Sequence, residues 1–95
     1  GTREEFDRDK LIEGIRVACT KRPVSAAAID HMVGEIENNL QKLGREEVSS
    51  RVIGDMVMAG LKEVDQIAYV RFAIVYLHLT DLRSIRDEIN HLLES

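Results

Sequence analysis

The stretch Ser25–Gly44, S-A-A-A-I-D-H-M-V-G-E-I-E-N-N-L-Q-K-L-G, decides the fold class. Ile29, Met32, Val33, Ile36, Leu40 and Leu43 recur at spacings of three and four, so they share one face of a helix. Asp30, Glu35, Glu37 and Gln41 mostly take the other face. Ser25 can accept from the open amides of the first turn, and Gly44 suits the left-handed residue just past a helix C-terminus. A helix with one apolar face buries it against other elements, so its neighbours are read next.

The neighbours are helical too. Upstream, Asp7 is a good N-cap, and Leu11, Ile12, Ile15, Ala18 and Cys19 follow at helical spacing. This predicts a helix from about Arg8 to Thr20, with Pro23 stopping it or lying just past its end. Downstream, Ser49 and Ser50 offer a third N-cap ahead of Val52, Ile53, Met56, Val57, Leu61 and Val64. Gly54 and Gly60 weaken this helix by roughly 1 kcal/mol each relative to Ala, which makes sense if another backbone packs close. Asp65 caps a fourth helix through I-A-Y-V-R-F-A-I-V-Y-L, which is apolar nearly all round and should be central to the core. Thr80 either restarts a helix or lets the fourth run on. Leu82, Ile85, Ile89, Leu92 and Leu93 make a narrower stripe that caps the core or docks on a partner, with core capping the first reading. There is no convincing strand pattern. Residues 2 to 6 are at most one half of a hairpin, and a lone edge strand needs a partner. The expected fold class is all-α, a small bundle of four to five helices. It is read as a single domain over residues 1–95, with 1–6 a hairpin remnant and 7–95 the bundle.

Composition agrees. The chain has 95 residues, enough for one core and not for two. Hydrophobic residues are 44% and charged residues 32%, the balance of a globular domain. Six Gly, one Pro and one Cys exclude collagen, low-complexity disorder and a disulfide scaffold. No apolar run approaches the roughly 20 residues that span a bilayer. No membrane partner and no export signal are expected, and a reducing cytoplasm is the default compartment. The net charge of −4 disfavours a chain that itself coats nucleic acid, but leaves room for a local basic pocket holding one anion.

Nothing in the spacing points to catalysis. His31, His78 and His91 form no i, i+4 pair of the kind that binds a metal on a helix. Cys19 has no visible activating partner and reads as a core thiol. Glu4–Glu5 and Glu46–Glu47 read as solvated charge. No phosphate-binding glycine loop is present. The chain is expected not to be an enzyme, with no catalytic residue and no metal ligand of its own.

Three segments go further: G-T-R-E-E-F-D-R-D-K-L at 1–11, C-T-K-R-P-V-S at 19–25 and A-Y-V-R-F-A-I-V-Y at 68–76. In order and separation they resemble the ATP-cone, the small nucleotide-sensing domain of ribonucleotide reductases and their regulators. The second and third segments are most similar to the branch found in the C-terminal part of bacterial repressors of ribonucleotide reductase genes. The resemblance spans residues 1 to about 90. It implies a bacterial, cytoplasmic regulatory domain that binds ATP or dATP, with magnesium (Mg2+), and whose bound nucleotide sets its self-association into homo-oligomers. It implies a zinc ribbon, ahead of the cone, that binds DNA. That ribbon and the cone's first basic strand are not among these 95 residues. Two other readings stand beside it: the allosteric cone of a reductase large subunit, and a ligand-free helical interaction domain.

The resemblance also names a site. Gly1 matches the family's turn glycine. Glu4 matches an acidic position that accepts from adenine or sugar groups. Asp7 and Lys10 match the start of the first helix, where a mobile ammonium joins open amides in attracting phosphate. Phe6, Leu11, Val52 and Val75 match the positions that line the adenine. Ser49 matches a hydroxyl position near the third helix, and Tyr76 a site position on the last core helix. Ile53 departs from the His that reductase cones often carry. Each has an ordinary reading too: Asp7 is a helix cap, Lys10 a solvated lysine, the apolar four are core, and Tyr76 is a buried phenol satisfied elsewhere. Arg22 and Arg71 are weaker candidates, and Arg71 is expected to pair with an acidic residue inside the bundle.

Overall fold

The computed structural model describes residues 3–5, 7–44 and 47–94, with residues 3–5 and 47–50 described by their backbone alone. Five helices follow in order: α1 (Arg8–Ala18), α2 (Ala26–Lys42), α3 (Ser50–Val64), α4 (Gln66–Tyr76) and α5 (Leu82–Glu94). They make the small all-α bundle that the periodicity predicts. Three of the expected caps are in place. Asp7 accepts from the Lys10 amide at 3.1 Å, Ser25 from the Ala28 amide at 3.0 Å and Asp65 from the Ala68 amide at 2.9 Å. Gly44, just past α2, has φ +67°, the left-handed conformation that suits glycine.

A short ladder is added to the helices. Arg3–Glu5 (β1) pairs antiparallel with Glu47–Ser49 (β2), in the register Arg3↔Ser49, Glu4↔Val48 and Glu5↔Glu47. The edge strand thus finds its partner within the chain, in the residues that run directly into α3. Three residues carry too little alternation to be read as a strand.

The core centres on Ile15, Val33, Val57 and Leu61, all fully buried. Cys19 is buried among them, and burial raises its thiol pKa. α4 packs against α1, α3 and α5, which makes it the central helix. Its outer face is nevertheless open, with Val75 74% and Ile67 46% exposed. The connection to α5 is closed by Asp81, not Thr80: Asp81 Oδ1 accepts from the Ser84 amide at 2.8 Å. The stripe of α5 is split. Leu92 is buried and Ile85 and Ile89 are half-buried, while Leu82 and Leu93 face solvent.

The glycines of α3 are explained by side chains and not, as expected, by a neighbouring backbone. A methyl on Gly54 would overlap the Tyr76 ring. A methyl on Gly60 would come within 2.7 Å of Met32 Sδ.

Candidate functional site

The direction of each helix is fixed by a few long-range contacts. Arg22, just past α1, bonds Asp65 at the start of α4, and Arg71 in mid-α4 donates to the Ala18 and Thr20 carbonyls at the end of α1. The end of α1 therefore lies against the first half of α4, while Arg8 at the start of α1 bonds Glu37 late in α2. Tyr76 at the end of α4 reaches Arg51 in the first turn of α3, so those two helices are antiparallel. The consequence is topological. The start of α1, the start of α3 and the end of α4 lie at one end of the bundle. The β1–β2 ladder pairs the segment that leads into α1 with the segment that leads into α3.

Of the proposed site positions, Asp7, Lys10, Leu11, Val52, Val75 and Tyr76 lie in or next to the helices named here. Asp7 is exposed, and its carboxylate is engaged as the cap of α1. Lys10 stands exposed one turn on, and among the described residues no carboxylate pairs with it. Leu11 is half-buried against the core. Val52 is 37% exposed on the first turn of α3, and Val75 stands out from the last turn of α4. Glu4 sits in β1 opposite Val48 and Ser49 opposite Arg3, by backbone alone. Gly1 and Phe6, and the side chains of Glu4 and Ser49, lie outside the described residues.

Tyr76 is half-buried and its hydroxyl is engaged. It lies 2.9 Å from the Arg51 carbonyl and 3.2 Å from Asp55 Oδ1, so one proton faces two acceptors. Burial first, and then the Asp55 charge, hold its phenol above the ordinary pKa, so it stays a neutral donor. Its ring stacks on Phe72 with centroids 5.7 Å apart and planes inclined by 29°. These rings border an open groove of about 610 Å³ between α3 and α4, with Ile53 and Val57 on its wall and Arg51 and His78 on its lip. An apolar, aromatic wall beside the Arg51 guanidinium suits a planar ring with an anionic tail, and of the proposed site positions only Tyr76 lines this groove. Residue spacing alone did not bring out Arg51 or Phe72, and it gave His78 no place at a site. Gly54 was read as a point of close approach, but the Tyr76 ring that approaches it was not.

The two weaker candidates lie elsewhere. Arg22 makes the ion pair expected of Arg71: its Nε is 3.1 Å from both carboxylate oxygens of Asp65. Arg71 instead donates to carbonyls, at 3.3 Å to Ala18 and 2.6 Å to Thr20. Both cations lock the corner between α1 and α2 onto α4, at the opposite end of the bundle from Tyr76. The Arg22 hydrogen bond, with the Ala68 amide, holds the Asp65 carboxyl below its ordinary pKa. Among the described residues, no three His, Cys, Asp or Glu side chains gather around a common metal position. No helix is long and apolar enough to cross a membrane.

Residues 1–82 match the family model described as the ATP cone domain. The transcriptional repressor NrdR of Caldicellulosiruptor bescii is 52% identical over 91 residues, covering 96% of this chain and 60% of the relative. NrdR of Chloroflexus aurantiacus is 46% identical over 94 residues, covering 99% of this chain and 57% of the relative. NrdR of Myxococcus xanthus is 46% identical over 95 residues, covering 100% and 56%. The chain thus spans a little over half the length of these relatives.

Proposed function

The chain belongs to the ATP-cone family, and from that premise we propose that it is the nucleotide-sensing regulatory part of a bacterial transcriptional repressor of ribonucleotide reductase genes. The observation that carries this reading is the convergence of β1, the starts of α1 and α3 and the end of α4 on one end of the bundle. A nucleotide bound there takes its phosphates to Lys10 and the open amides of α1. Its base lies against Leu11, Val52, Val75 and the Tyr76 ring, with Phe6 completing the slot. Glu4 and Ser49 accept from or donate to the sugar and the base edge. Asp7 holds the first turn of α1 in place for the phosphates. The ligand is ATP or dATP with magnesium, and the cation is held by the phosphates. The relatives named as repressors support this reading over the reductase cone.

The rest of the reading concerns the whole protein. DNA is contacted by a zinc ribbon outside these residues, since a net charge of −4 gives this chain little attraction for phosphate backbone. The bound nucleotide controls assembly of copies, and the exposed Leu82 and Leu93 offer apolar surface for it. The protein works in the bacterial cytoplasm and regulates without catalysing.

Amide chemical shifts test the site. On titration with ATP or dATP in magnesium, the largest changes are expected at residues 8–11, 51–54 and 75–78. Changes centred instead on Arg22, Asp65 and Arg71 would place the ligand at the other end and overturn the assignment.

A further inference from the structure

The corner between α4 and α5 is closed without the residue that such corners favour. The Leu79 amide donates to the Ile74 carbonyl at 3.0 Å and the His78 amide to the Val75 carbonyl at 3.3 Å. This pair of bonds ends a helix through one left-handed residue, usually glycine. Here that residue is His78, with φ +55°. At the matching place after α2 the chain uses Gly44. A Cβ disfavours this conformation. The connecting residues Leu77, His78, Leu79, Thr80 and Asp81 contain neither Gly nor Pro, so nothing in them forbids a helix from running on.

What lies beyond the corner is lightly held. α5 packs chiefly on α4. It commits one residue, Leu92, to the buried core. Leu82 is 84% exposed and Leu93 67%. Tyr69 on α4 donates to Glu88 Oε1 at 2.7 Å, which ties the two helices across their contact. The match to the cone family model ends at residue 82, where α5 begins, while the relatives named above align through α5 as well.

We propose that residues 77–81 are a hinge and that α5 is an arm with two positions. In one it is folded back on α4 as described. In the other, α4 continues through 77–81 into α5, and Leu92 and the half-buried Ile85 and Ile89 leave the body of the domain. The two local bonds at His78 and the Asp81 cap are exchanged for regular helical bonds through the same segment. Burial of Leu92 favours the folded-back position, and the left-handed His78 opposes it, so a substitution at position 78 shifts the balance.

Amide hydrogen exchange on the 95-residue chain reads this directly. In the unaltered chain, amides of 82–94 are expected to exchange faster than those of α1 to α3. His78→Gly removes the Cβ cost and is expected to slow α5 exchange about fivefold. His78→Ala keeps that cost and adds helix propensity; it is expected to speed α5 exchange by a similar factor while amides 79–81 gain protection. Tyr69→Phe removes the tie to Glu88 and is expected to speed α5 exchange as well, with α1 to α3 unchanged. Exchange of α5 only by global unfolding would overturn the proposal. So would effects of the same sign for His78→Gly and His78→Ala. Loss of protection at 79–81 in His78→Ala would mean that α5 frays without extending α4, and would overturn it too.

Discussion

The ring of Tyr76 lies directly over Gly54, in the space that any side chain at position 54 would fill. The contact joins the end of α4 to the first turns of α3, and Tyr76 Oη completes it on the Arg51 carbonyl. The groove between these helices has its shape because position 54 is empty.

Replacing Gly54 by Ala pits two effects against each other. Ala gains about 1 kcal/mol as a helix former, and forcing a methyl into a filled site costs about 1–3 kcal/mol. The clash is with a ring held at both ends, so net destabilisation of roughly 1 kcal/mol is expected in urea unfolding. In a Tyr76→Ala background the same change should become stabilising, because the obstacle is gone. Gly60→Ala meets Sδ and Cγ of the buried Met32, an adaptable side chain that must shift, and should destabilise less than Gly54→Ala.

Lys10 is exposed and, among the described residues, pairs with no carboxylate, so Lys10→Ala should leave stability within about 0.5 kcal/mol. Loss of a charged contact to phosphate is expected to weaken nucleotide binding by about tenfold or more. Calorimetric titration of the variant and thermal unfolding alongside it separate the two.

The Arg22–Asp65 pair sets an acid limb. The folded-state pKa of Asp65 is depressed, so its contribution is present at neutral pH. That contribution fades as pH falls through about 4 and is absent below the depressed value. Thermal unfolding between pH 2 and 7 should show Asp65→Asn less stable than the unaltered chain at neutral pH and level with it at the acid end.

How much of this was legible varies with the range of the interaction. The caps Asp7, Ser25 and Asp65 and the left-handed Gly44 are local, and each was readable from its own few residues. The β1–β2 ladder was not, because Arg3–Glu5 and Glu47–Ser49 are three-residue strands separated by two helices. The exchange of roles between Arg22 and Arg71 depends on how α1 and α4 cross, which no local pattern encodes. The positions Lys10, Leu11, Val52, Val75 and Tyr76 came from resemblance to a family. Their elements converge, but the wall built from Phe72, Gly54 and Arg51 needed the fold.

Tyr69 sets an alkaline limb. Burial, then its bond to Glu88, push the phenol up to about 12. A raised value means that its contribution is complete below the ordinary pKa near 10 and is lost as pH rises toward 12. Absorbance at the phenolate band should titrate late, and Tyr69→Phe should remove that late step while leaving the Tyr76 step.

Leu82 and Leu92 lie on the same helix with opposite fates. Leu92→Ala is expected to cost about 2–4 kcal/mol, since Leu92 is buried in the core. Leu82→Ala, at 84% exposure, should stay within about 0.5 kcal/mol. Urea midpoints of the two variants give the comparison.

Calorimetric titration with ATP and with dATP in magnesium, with molar mass followed by light scattering, tests the central claim most directly. The account predicts saturable binding of adenine nucleotide accompanied by a change in mass. Absence of binding to either nucleotide would contradict it.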